Sequence, residues 1–264
     1  MIGIFDSGIG GMTVANVIRH RLPHESLIYF GDTAHLPYGD KSPGTIRHYA
    51  ARISAWLIQY NVKALVIACN TASSHAYDTV QDICGPSIPV INVIDPVVEH
   101  VAKEFSAGKI GVIGTKGTIE SRVYPKRIKK LNPKLKVVSQ ATPLLAPMIE
   151  EGFFNNNISK SVIDSYLNKK NFQDLDAIIL GCTHYPLIQK EIKAHYQKKV
   201  AVVDSAFVVA EKVEEVLEAH GLLAMEHHSP KYKFVVSDYT QSFEKSTRTF
   251  FRERIELTEE RIWD

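Results

Sequence analysis

The sequence predicts an α/β protein made of two similar parallel-sheet units that face each other across a cleft and are related by a pseudo-twofold axis. Three observations carry that expectation. Short β-branched runs alternate along the chain with longer segments of helical period, the mark of parallel α/β architecture. Several of these runs are apolar throughout, as strands covered by helices on both faces are. Two passages also recur in the same order, about 110 residues apart. Ile110-Gly-Val-Ile-Gly-Thr-Lys-Gly-Thr118 echoes Ile2-Gly-Ile-Phe-Asp-Ser-Gly-Ile-Gly10, and Ile178-Ile-Leu-Gly-Cys-Thr183 echoes Leu65-Val-Ile-Ala-Cys-Asn-Thr71.

The first unit opens with a strand over residues 2–5 and a helix over 12–20, whose Val14, Val17 and Ile18 share one face. Strands follow at 27–31, 64–68 and 90–93, with a helix over 45–59 among them. The second unit has strands at 110–113, 136–139, 177–180 and 200–203. The chain is expected to cross between units at Asp95-Pro96 and Asp204-Ser205. Residues 1–94 with 205–264 then form one domain, and 95–204 the other. A helix over 205–220 and a strand at 233–236 return to the first unit. The charge-rich stretch 246–264 reads as a surface helix or tail.

A length of 264 residues suits one large domain or two modest ones. With 31 Lys and Arg against 29 Asp and Glu, the formal charge is +2, too balanced for a nucleic-acid stripe. Apolar residues at 45% and charged residues at 23% fit an ordinary soluble globular chain. No basic start leads into a long apolar run, so a secretory signal is not expected, and no apolar stretch approaches membrane-spanning length. Three cysteines are too few for a disulfide framework, which points to a reducing, cytoplasmic setting.

Two of those cysteines carry the chemistry. Cys69 closes the third strand and precedes Asn-Thr-Ala-Ser-Ser, small polar residues suited to starting a helix. A cysteine there faces the crevice where α/β proteins bind ligands, and a helix N-terminus lowers a thiol's pKa toward neutrality. Cys182 closes another apolar strand in the same way, ahead of Thr183, His184, Tyr185 and a helix-starting Pro186. Cys84, before Gly85-Pro86, lacks this context and reads as structural. A single strand-end cysteine is commonly a small buried hydrophobe; two placed alike are harder to read as packing.

Facing cysteines suit three chemistries. A redox disulfide lacks the Cys-x-x-Cys spacing. A metal site could draw on Cys69, Cys182 and His184, but no second ligand sits at a suitable spacing near Cys69, so no metal is expected. The third is proton transfer at a carbon centre, one thiolate removing a hydrogen while the opposite thiol delivers another, as racemisation requires. The loop Asp6-Ser-Gly-Ile-Gly-Gly-Met-Thr13 follows the first strand, and its glycines let backbone N–H groups approach an anion. It lacks the third glycine of a dinucleotide fingerprint, so Asp32 is not read as a ribose acid, and a small carboxylate is the better ligand.

Together, Phe5-Asp-Ser-Gly-Ile-Gly-Gly11, Pro37-Tyr-Gly39, Ala68-Cys-Asn-Thr-Ala72 and Leu180-Gly-Cys-Thr-His-Tyr-Pro186 resemble the glutamate racemases of the cofactor-independent aspartate/glutamate racemase family. The resemblance runs through about residue 240 in the family's order. It implies Cys69 and Cys182 as the acid/base pair, with substrate contacts from Asp6, Ser7, Tyr38, Gly39, Asn70, Thr71, Thr183 and His184. Asp6 and His184 are expected beside Cys69 and Cys182 respectively, and Glu150 resembles a family acid near the cleft, with Glu151 as its adjacent rival. The implied activity is interconversion of L- and D-glutamate without a cofactor, supplying peptidoglycan synthesis. A homodimer is compatible with it; nucleic-acid and membrane partners are not expected. No lysine stands in a phosphate-cup context that would suggest pyridoxal phosphate. Two rivals remain at this point: a sister isomerase acting on aspartate or another small acid with the same cysteines, and a non-catalytic carboxylate-binding module.

Overall fold

The computed structural model describes residues 1–263. Within them the strands are β1 (Ile2–Asp6), β2 (Leu27–Gly31), β3 (Ala64–Ile67), β4 (Val90–Asn92), β5 (Gly108–Gly114), β6 (Leu135–Ala141), β7 (Ala177–Gly181), β8 (Ala201–Val203), β9 (Tyr232–Val236) and β10 (Thr258–Glu259). They form two sheets, ordered β10-β9-β2-β1-β3-β4 and β6-β5-β7-β8, and every pairing is parallel. The order β2-β1-β3-β4 in the first sheet repeats as β6-β5-β7-β8 in the second, so β1 corresponds to β5 and β3 to β7. The two echoed sequence passages are these corresponding strands with the loops after them.

The apolar runs become central strands because both faces are covered. Every residue of β1, β2, β3 and β7 is buried. Helices Pro43–Ile58 and Asn70–Cys84 pack over one face of the first sheet, against Phe5, Phe30, Ile67 and Val235. Over the other face lie helices Met12–Arg21 and Ser205–Ala219. From there one continuous apolar core runs through Val97, Val101 and Ile128 into the second unit, reaching Ile110, Ile179 and Leu180. Each large aliphatic or aromatic side chain fully buried there contributes about 1.5–3 kcal/mol relative to exposure. The units are thus joined by helices as well as by a cleft. The chain leaves the first sheet through helix Asp95–Glu104 and returns through helix Ser205–Ala219, whose start Asp204 caps by accepting from the Ala206 N–H at 2.9 Å.

The stretch read as a surface helix or tail differs. Helix Gln241–Phe251 buries Thr247, Phe250 and Phe251, after which Ile255 and Leu257 enter the core and β10 pairs with β9. The reason is amphipathicity: Phe243, Thr247, Phe250 and Phe251 form a single stripe that the surrounding charges dilute in composition. Near the end of the chain, Trp263 sets its ring edge-on to His35 at 4.5 Å and to Tyr49 at 5.1 Å, while His35 stacks on Tyr49 at 4.2 Å. Asp264 belongs to the same expected tail but lies outside the described residues. Among the described residues no helix is long and apolar enough to cross a membrane.

Candidate active site between the two sheets

The predicted site residues gather where the carboxyl ends of the two sheets meet. Cys69 lies two residues beyond β3 and is itself the N-cap of helix Asn70–Cys84: its Sγ accepts from the Ala72 N–H at 3.4 Å. Sγ also lies 3.5 Å from Ser7 Oγ. Only 5% of Cys69 is exposed. The expectation that the helix end draws this thiol toward neutrality is not met. Burial and the Asp6 charge outweigh the bonds from Ala72 and Ser7, and the pKa is pushed up to about 12. Cys69 therefore rests as a thiol.

Asp6, at the end of β1, is fully buried. Its Oδ2 accepts from the N–H groups of Gly8 at 3.1 Å and Gly11 at 3.0 Å. The glycine loop was expected to hold a ligand carboxylate, but these two donors are taken by the chain's own carboxylate. Oδ1 is buried without a partner among the described residues. Burial raises the Asp6 pKa, against the opposing pull of His184 and the backbone donors.

Cys182 follows β7 as Cys69 follows β3, and is 6% exposed. Its Sγ stands 3.6 Å from His184 Nδ1, and His184 Nε2 lies 2.7 Å from Glu150 Oε1. Burial alone would lower the His184 pKa; the Cys182 charge and the Glu150 carboxylate reverse this and hold it well above its usual value. Glu150 ends helix Leu145–Glu150 and reaches the imidazole, whereas Glu151 is exposed. The two thiols are within electrostatic reach of each other, since a charge on Cys182 raises the Cys69 pKa, and both are free.

Thr71 shares a 2.8 Å hydrogen bond with Thr115, the N-cap of helix Lys116–Glu120. A Cβ on Gly39 would meet Thr115 Cβ at 2.8 Å, and one on Gly10 would meet His184 Cε1 at 2.4 Å and Thr183 Oγ1 at 2.6 Å. The loop after β1 is therefore pressed directly on the loop after β7, which only a glycine permits at position 10. Tyr38 is buried but directs its hydroxyl away, donating to Asp32 Oδ2 at 2.7 Å. Asp32 also holds His35 and Ser237, so it organises the loop carrying Tyr38 and Gly39. Among the described residues no three His, Cys, Asp or Glu side chains are grouped to hold a metal ion.

Several site residues escaped the sequence reading. Thr13 Oγ1 lies 2.9 Å from the Gly10 carbonyl and 3.0 Å from that of Thr183, bridging the units. Thr115 and Thr118 face Thr71, and Phe250 sets its ring edge-on to His184 at 5.1 Å. Tyr124 donates from the second unit to Asn70 Oδ1 at 2.7 Å. The echo containing Thr115 and Thr118 was a usable signal; Phe250 and Tyr124 gave none, because their roles depend on how distant segments dock.

Comparison with known proteins fits this geometry. The sequence profile of the Asp/Glu/Hydantoin racemase family matches residues 12–213. The glutamate racemase of Geobacter metallireducens is 43% identical over 242 residues, covering 92% of this chain and 89% of its own. That of Neisseria meningitidis serogroup B is 39% identical, covering 98% of this chain and 95% of its own. The crystal structure of the Francisella tularensis glutamate racemase in complex with D-glutamate superposes with a TM-score of 0.93 at 38% identity, covering 99% of this chain and 97% of that one.

Proposed function

The chain belongs to the aspartate/glutamate racemase family, and from that premise we propose that it interconverts L- and D-glutamate without a cofactor, using Cys69 and Cys182 as the two acid/base groups. The observation that carries the reading is the equivalence of the two thiols. Each follows the corresponding strand of a repeated sheet order, and both are buried at one junction. Racemisation needs a base on one face of Cα and an acid on the other, and two equivalent groups from facing units supply both.

In either direction one sulfur, as thiolate, takes the α-hydrogen as a proton. The electron pair left on Cα is then quenched by the proton of the opposite thiol. Each sulfur works from roughly 3–3.5 Å, a near-attack distance. The high pKa of Cys69 means that its proton must go to a base, and Asp6, whose charge acts on Cys69 and whose Oδ1 has no partner among the described residues, is the candidate. On the other side, an imidazolium at His184, held by Glu150, is a counter-charge for a sulfur anion at Cys182. Ser7, Asn70, Thr71 and Thr183 supply the donors that two carboxylates need, with Tyr38 and Gly39 forming the adjoining wall.

The burial of both thiols requires the site to open for substrate and close for chemistry. Residues 1–94 with 205–264 on one side and 95–204 on the other are the units we assign to that motion. The product serves peptidoglycan synthesis in the bacterial cytoplasm on this reading.

The test is polarimetric or circular-dichroism assay of pure L-glutamate and L-aspartate with no added cofactor, run in D₂O. Loss of optical activity with glutamate, and deuterium at the product's Cα, is expected. Replacing either Cys69 or Cys182 by alanine is expected to cut turnover by ~10³-fold or more. Racemisation without solvent deuterium, or full activity after either replacement, would refute the two-thiol mechanism; preference for aspartate would refute the substrate assignment.

A further inference from the structure

We propose that Tyr124 is a positioning residue that commits the Asn70 side chain to donating its amide hydrogens to a carboxylate of the substrate. The inference rests on the two-unit site described above and adds to it a residue that lies outside every sequence motif. Asn70 is the first residue of helix Asn70–Cys84 and follows Cys69 directly. Tyr124 lies in helix Val123–Leu131 of the other unit, against the Gly181 that precedes Cys182, where an added Cβ would stand 3.5 Å from Tyr124 Cε2. The pair therefore spans the same junction as the two thiols.

The hydrogen bonding within the pair is one-sided. Tyr124 is 1% exposed and its hydroxyl donates to Asn70 Oδ1 at 2.7 Å. Burial, reinforced by the Cys182 charge, holds its ionisation far above the usual tyrosine range, so the hydroxyl keeps the proton it donates. A carboxamide can present either its oxygen or its nitrogen by rotating half a turn, and a fixed donor on one side decides which. With Oδ1 engaged by Tyr124, Nδ2 must point the other way. Asn70 is 2% exposed, and that Nδ2 has no partner among the described residues. A buried amide nitrogen with nothing to donate to is rare in a folded protein unless a ligand completes it. An acceptor is what is missing, and a carboxylate is acceptor-only. Since the hydroxyl comes from the second unit and the amide from the first, the donor is oriented when the units come together.

The experiment compares the wild-type enzyme with the Y124F, N70D, N70A and Y124F/N70A variants, measuring KM and kcat in both directions and D-glutamate binding by calorimetry. Y124F keeps the ring but frees the amide. It is expected to raise KM and the binding constant for dissociation ~10-fold for both enantiomers, with kcat changed less than ~3-fold, because the lost bond is to a charged group and is made in ground and transition state alike. N70D retains an acceptor for Tyr124 while replacing the donor by an anion, and should weaken binding at least as much. In the N70A background, Y124F should cost nothing more.

Near-wild-type KM and affinity in Y124F would overturn the proposal, as would wild-type affinity in N70D, which would make the bond a staple between the units. A further loss in the double variant would do the same. The parent reading fails separately, if wild-type enzyme does not racemise glutamate; the calorimetric series then still decides whether Tyr124 orients Asn70.

Discussion

Cys182 Sγ has an imidazole nitrogen 3.6 Å away, at His184 Nδ1, and this contact makes the two halves of a repeated site chemically unlike. The Cys69 side carries a buried carboxylate instead, at Asp6. Glu150 is the group that holds His184 from behind. In the Glu150→Gln variant one of the causes raising the His184 pKa is gone, so the imidazolium should lose its proton at lower pH. The alkaline limb of the kcat/KM profile is expected to move toward neutrality in both directions. Because a raised histidine pKa adds stability that is complete below the unfolded value and fades as pH climbs through the folded one, the variant should also lose stability chiefly at acid to neutral pH. Denaturant titrations across that range check the second effect, and pH–rate profiles the first.

Asp6→Asn should separate stability from activity. The folded-state pKa of Asp6 is raised, chiefly by burial, so the folded protein holds a proton where the unfolded chain has released it. Stability therefore falls as pH rises from the unfolded value through the folded one, and the raised pKa is a net cost to folding at neutral pH. An asparagine keeps an acceptor for the Gly8 and Gly11 N–H groups without that charge. A melting temperature higher by about 2–4 °C at neutral pH is expected, with the difference vanishing in strong acid. Turnover should drop ~10²-fold or more if Asp6 moves a proton for Cys69.

Gly10→Ala should block closure. Its Cβ would fall within 2.6 Å of both Thr183 Oγ1 and the His184 ring; both residues are buried, and the imidazole is held between Cys182 and Glu150. A displacement of about 1 Å at catalytic groups can cost ~10²-fold in rate. We expect such a loss of kcat/KM with little change in the far-ultraviolet circular dichroism spectrum. Activity near wild type would mean that the two loops part more easily than their contact implies.

Trp263→Ala removes the ring that closes on His35 and Tyr49. His35 bonds Asp32, which in turn accepts from Tyr38, so the loss reaches the wall of the site through two hydrogen bonds. A melting temperature lower by about 2–4 °C is expected for the half-buried ring. A raised KM measured alongside it would register loosening of the Tyr38–Gly39 loop.

Much of this architecture was legible in the sequence because it is written locally. The nine expected strands all appear, most with ends shifted by one or two residues, since an apolar run and its flanking turn are both short-range signals. The matching positions of Cys69 and Cys182 could be read from the echo alone. The protonation of Cys69 could not: the helix end is a local feature, but burial and the approach of Asp6 are properties of the assembled junction. Phe250 illustrates the same limit, because its segment looks like charged surface until the stripe it shares with Thr247 and Phe251 is seen docked. The choice between Glu150 and Glu151, even in sequence, is made by which carboxylate the helix end aims at His184.

The strand order has a further consequence for how the protein is made. The second sheet is drawn from one uninterrupted stretch, β5 to β8, whereas the first needs both ends of the chain: β2 finds its outer neighbour only in β9. A ribosome synthesising the chain from the N-terminus will expose the Leu27–Gly31 edge, apolar throughout, until some two hundred further residues have emerged. That nascent edge is the part of the molecule most open to mispairing, and chaperone demand during translation should concentrate there.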